Sequence, residues 1–95
     1  MSGDKVEVEN VNVPGQVTRV DAAKYNAMKA AMMQIMGDEP MTAKAIKEAS
    51  KAHLPEDLFP GGATAGWWQK SVQLDLEAKG ILKRHDTKPL TFSKV

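Results

Sequence analysis

The stretch FPGGATAGWW, residues 59–68, sets Gly61 and Gly66 at the glycine spacing of a phosphate-cradling P-loop. That chemistry also needs a lysine for the phosphates and a hydroxyl for magnesium, directly after the second glycine. Trp67 and Trp68 stand at both positions. No strand signal precedes the loop, and the G-x-G-x-x-G pattern of dinucleotide sites is absent, so the nucleotide reading fails. His53 and His85 occur without H-x-x-x-H, H-E-x-x-H or any cysteine, and no metal site is expected. The acidic neighbours Asp38-Glu39 and Glu56-Asp57 fall in loops, where capping and solvation are their ordinary roles. No nucleophile has an adjacent base, so neither catalysis nor a cofactor is expected.

Binding chemistry remains. Gln69, Lys70 and Gln73 share one face of a helix and are suitable types for a major groove. Glutamine can pair bidentately with adenine, and lysine can reach guanine or phosphate. Thr64, at the start of that helix, is expected to cap it by accepting a backbone N–H, beside free amides able to hold a phosphate oxygen. Lys83, Arg84 and Lys88 follow in a basic tail whose only acid is Asp86, and could lie along a DNA backbone. Double-stranded DNA is thus the first expected partner. Glu77 on the same face, a net charge of +1 and the presence of only two arginines, Arg19 and Arg84, oppose it. The alternative is a non-enzymatic protein-interaction module using Trp67, Trp68 or Met33. A homodimer contact could form along Ala22, Ala30 and Met33. Charge placement discriminates the two: a continuous surface of Lys44, Lys47, Lys70, Lys83, Arg84 and Lys88 favours DNA, and interruption by Glu48, Asp75 or Glu77 favours a protein.

These side chains need elements to position them. Residues 1–20 alternate Val6, Val8 and then Val11, Val13, slipping phase at Asn10, and read as a flexible or extended arm with a short edge strand. Asp21 caps a first helix whose stripe is Tyr25, Met28, Met32, Ile35 and Met36, stopped by Gly37. DEPM is a connector with room for a very short strand. Thr42 caps a second helix running to about His53, and Leu54-Pro55 ends it. A third helix runs from Thr64 to Lys79, with Gly80 able to take the left-handed position behind it. Its wheel puts Trp67 and Leu74 on one flank and Trp68, Val72 and Leu76 on another, with at least one tryptophan in the core. Beyond Gly80 the period becomes two, and ILKRHD and LTFSKV read as a hairpin.

VQLDLEAKGILKRHDTKPLTFSKV resembles the recognition helix and wing of winged helix-turn-helix domains, a likeness covering residues 21–95. It implies an α+β, mainly α fold: three helices, a C-terminal β-hairpin wing and an extended N-terminal arm. The segments VNVPGQVTRVDAAKY, HLPEDLFPGGATAGWW and LDLEAKGIL together resemble an uncharacterised family of small bacterial proteins, which implies no activity. Between the second and third helices stand residues 54–64, eleven positions with two prolines and two glycines. A helix-turn-helix commonly uses three or four, so this link would alter a DNA-docking angle. Leu58 and Phe59 can plug it into the core.

A chain of 95 residues is one domain's worth, and 42% apolar with 26% charged residues is an ordinary globular balance. No apolar run approaches a membrane span, MSGDKVEVEN has no apolar signal region, and cysteine is absent, so a cytoplasmic protein is expected.

Overall fold

The computed structural model describes residues 4–95. Residues 1–3 of the expected arm lie outside the described residues. The elements run β1 (Lys5–Glu9), β2 (Val17–Asp21), α1 (Ala22–Ile35), β3 (Met41–Thr42), α2 (Ala43–Lys51), a 3₁₀ turn (Pro60–Gly62), α3 (Ala65–Ala78), β4 (Leu82–His85) and β5 (Thr91–Lys94). They make a small α+β fold of three helices and two antiparallel sheets, ordered β1-β2 and β3-β5-β4.

The local chemistry explains most boundaries. Asp21 accepts from the amides of Ala23 and Lys24 and starts α1 as expected. Thr42 accepts from Ala45 and starts α2. Behind α3, Gly80 takes φ 76°, Ile81 N–H reaches the Leu76 carbonyl at 2.9 Å and Gly80 N–H that of Glu77 at 3.1 Å. That pair of bonds is a Schellman closure, which needs a residue without Cβ strain at the left-handed position.

Thr64 departs from expectation. It is itself left-handed, at φ 60°, and makes no side-chain cap; its hydroxyl donates to the Ala63 carbonyl at 2.6 Å. The preceding turn dictates this, because Gly61 and Gly62 also have positive φ and Glu56 Oε2 holds the Gly61 amide at 2.8 Å.

The N-terminal segment is more ordered than an arm with one edge strand. β1 and β2 pair from Lys5↔Asp21 to Glu9↔Val17 and bury Val8 and Val20. The phase slip at Asn10 marks the turn: Val13 N–H returns to the Asn10 carbonyl and Asn12 N–H to its side chain.

Met28, Met32, Ile46, Phe59, Val72, Leu76 and Phe92 form the centre of the core. Trp68 joins them, its ring meeting Phe59 edge-on at 6.5 Å. Met28, Met32 and Met36 are buried as the stripe predicts. Among the described residues, no helix is long and apolar enough to cross a membrane.

Candidate functional site

Helix α3 carries Trp67, Trp68, Gln69, Lys70 and Gln73, and its faces meet different neighbours. On the face towards α2 and the C-terminal hairpin, Gln69 and Gln73 are buried. Gln69 Nε2 donates to Gln73 Oε1 at 2.8 Å, and Gln73 Nε2 donates to Glu77 Oε2 at 3.1 Å. Glu77 in turn receives Arg84 through Nε at 2.9 Å and Nη2 at 3.2 Å. A carboxylate only accepts, so Glu77 fixes the direction of both amides along the row. These glutamines were expected to face DNA bases; in this fold they are spent on each other, and Arg84 on Glu77.

Lys70, Lys83, Lys88 and Thr64 are exposed. Lys44, Lys47 and Lys70 line a cleft of about 380 Å³ between α2 and α3. Gly66 admits the Lys47 stem, whose Cδ lies 3.5 Å from where a Cβ would stand. Glu48 approaches Lys47 at 3.8 Å and Lys51 at 3.3 Å. The cleft gathers Lys44, Lys47 and Lys70, while Lys83 on β4 borders a separate hollow with Glu77 and Arg84.

The opposite flank packs against the N-terminal hairpin. Asp75, fully buried, is its anchor. Oδ1 accepts the Glu9 backbone N–H at 2.8 Å, Oδ2 accepts the Tyr25 hydroxyl, and Lys79 Nζ stands 2.8 Å from the carboxylate. Burial raises the Tyr25 phenol far above its ordinary pKa, and the hydrogen bond and charge of Asp75 push it the same way. One side chain thus ties β1, α1 and α3. From the sequence Asp75 reads as a surface acid able to interrupt a basic face; the signal for its burial is its place in LDL, inside the apolar arc.

Beyond Asp75 the seam opens into a cavity of about 150 Å³ lined by Val8, Thr18, Val20, Trp67, Ser71 and Leu74. Trp67 is 56% exposed and Trp68 only 7%. The wheel predicts separate flanks, yet the rings meet edge to face at 4.9 Å, because indoles are wide enough to touch across adjacent positions. Met33, the expected dimer contact, is half-buried against the core, and its carbonyl accepts Lys94 Nζ at 2.7 Å.

His53 is exposed, and His85 Nε2 lies 2.8 Å from Ser93 Oγ. Among the described residues, no three His, Asp or Glu side chains converge as metal ligands would.

Fold and faces together define a small α+β domain whose recognisable features are surfaces flanking one helix. The chain belongs to a family of unknown function, DUF6958, whose model matches residues 5–92. No curated protein and no solved structure matches the chain.

Proposed function

We propose that this chain is a non-enzymatic protein-interaction module on a winged-helix-like frame, and that it receives its partner at Trp67. The frame reading rests on element order. The short β3 lies between α1 and α2 and pairs with β5 of the hairpin after α3, giving α1-β3-α2-α3-β4-β5 with sheet order β3-β5-β4. A winged helix uses that arrangement to present its third helix.

The observation that carries the partner reading is the exposure of Trp67 beside a cavity whose wall mixes Val8, Val20 and Leu74 with the polar Glu9, Asn10 and Gln16. Large aromatic side chains dominate binding energy where a partner can desolvate them. Photocrosslinking from position 67, controlled by a crosslinker at Asn26, identifies the partner. With both proteins purified, Trp67→Ala should weaken the complex by about 2 kcal/mol; an unchanged affinity rejects the site.

A second reading is duplex DNA held through its backbone. Lys44, Lys47 and Lys70 favour it, as does exposed Lys83 with Lys88. Because Gln69 and Gln73 are buried, such binding would be phosphate-driven and weakly sequence-selective. A mixed-sequence duplex titrated at low and moderate salt tests it. Phosphate contacts demand a steep loss of affinity with salt.

A further inference from the structure

The long edges of the β1-β2 sheet differ in what meets them. The Ala22 amide bonds to the Asp4 carbonyl at 3.0 Å, and antiparallel ladders alternate hydrogen-bonded with non-bonded pairs. Val6↔Val20 and Val8↔Thr18 are therefore the bonded pairs, while Glu7↔Arg19 and Glu9↔Val17 direct their amides and carbonyls outward. On the β1 side, Asp75 takes the outward amide of Glu9. Among the described residues no strand follows on the β2 side, and Val17, Thr18 and Arg19 are all exposed. The cavity beside Trp67 lies between the hairpin and α3, lined by Val8 and Glu9 of β1 and by Thr18 and Val20 of β2, the strand with the open edge.

We propose that the β2 edge is a strand-addition site for an extended segment of a partner protein, with apolar side chains alternating with acidic ones. The segment pairs with the outward amides and carbonyls of Val17 and Arg19. An apolar side chain pointing inward enters the cavity against Trp67 and Leu74. At about 150 Å³ the cavity has room for one ring-sized group. The next side chain points outward beside Arg19, which is exposed and forms no ion pair among the described residues. Opposite charge there favours pairing, and like charge opposes it.

That charge also argues against a second copy of this chain as occupant. Arg19 is the central residue of β2, so antiparallel pairing of β2 with itself about its centre sets arginine against arginine. Exposed strand edges are guarded by such charges against self-association, and a heterologous acidic strand turns the guard into a contact.

The inference rests on the reading of Trp67 as a protein contact, and the experiment separates the two. A displayed library of random heptapeptides is selected on the full chain, and the enriched peptides are synthesised for amide-shift mapping. Alternating apolar and acidic residues should be enriched, with shifts concentrated at residues 17–21 and on the Trp67 indole. Arg19→Pro removes an outward amide that β1 does not use, a position where edge strands tolerate proline. It should weaken binding about tenfold. Val17→Pro should act alike, and amide spectra of both unbound variants verify the hairpin. Arg19→Glu should reverse the preference from acidic to basic peptides.

If both proline variants bind like the parent while Trp67→Ala does not, strand addition is wrong and docking at Trp67 stands. If Trp67→Ala also binds like the parent, both readings fall. Self-association in sedimentation, with the same edge shifts and no peptide, would make a second copy the occupant and overturn the proposal.

Discussion

The hydroxyl of Tyr25, on α1, donates to Oδ2 of Asp75, on α3, and both side chains are shut off from solvent. The other oxygen of Asp75 holds the Glu9 amide. The docking of the N-terminal hairpin and the packing of two helices thus share one carboxylate. Removing it strands several donors at once. Asp75→Ala should cost about 3–5 kcal/mol, a large part of the total stability of a domain this size. Asp75→Asn keeps one acceptor and should cost less, about 1–3 kcal/mol. Urea unfolding midpoints measure both, and earlier exchange of the β1 amides would show the hairpin leaving first.

The same pair makes an alkaline prediction. Tyr25 is held above its ordinary pKa of about 10 in the folded chain. Between the unfolded and folded values the folded state retains the proton that the unfolded state has lost. Stability from this group is therefore complete below pH about 10 and declines as pH rises towards the folded value. Tyr25 is the only tyrosine, so tyrosinate absorbance reads it directly. Its ionisation should coincide with unfolding instead of following free tyrosine, and Tyr25→Phe should remove this part of the alkaline loss.

The adjacent indoles should separate energetically. Trp68→Ala empties a core position between Phe59 and Val72 and should cost about 3–5 kcal/mol. Trp67→Ala removes an exposed ring and should cost about 1 kcal/mol or less. In Trp67→Phe the remaining emission should be blue-shifted and poorly quenched by acrylamide; in Trp68→Phe it should be red-shifted and readily quenched. Reversal of that order would misplace both rings.

Helix positions were legible because their signals are local. Asp21 and Thr42 cap, and the methionine stripe repeats at helical spacing. The C-terminal hairpin likewise announced itself by a change of period after Gly80. Long-range partners were not legible. Nothing near Asp75 in sequence reveals a tyrosine fifty residues earlier, and although Gln69, Gln73 and Glu77 follow one another at i,i+4 spacing, nothing near them says that α2 will cover the two glutamines. Polar side chains on a helix wheel look solvated until the neighbouring element arrives. Thr64 failed for a different reason: its residue type suits a cap, but the two positive-φ glycines before it turn the backbone so that its hydroxyl points back to Ala63.

The Glu77–Arg84 contact should exceed an ordinary surface ion pair. The Glu77 side chain is only 4% exposed, two guanidinium nitrogens reach it, and Gln73 donates to it as well. A double-mutant cycle with Glu77→Ala and Arg84→Ala should give a coupling of about 1–2 kcal/mol, above the range of exposed pairs. Adding Gln73→Ala should be non-additive with Glu77→Ala, because the amide has already lost its acceptor. Additive losses would mean that the row is not a connected network.

Ser50 offers the opposite case, a buried polar group whose removal should help. Its hydroxyl is fully buried on α2 and has no hydrogen-bond partner among the described residues. Folding strips that hydroxyl of water without replacing the lost bond, a cost of about 1–3 kcal/mol. Alanine at the same position has no such group, nearly the same volume and a higher helix propensity. Ser50→Ala should therefore stabilise the chain by about 1 kcal/mol, raising Tm by about 4–8 °C for a domain of this size. Calorimetry decides between that outcome and a destabilised variant. A fall in Tm would mean that the hydroxyl bonds in solution, as a helical serine can to the carbonyl four residues earlier, here that of Ile46.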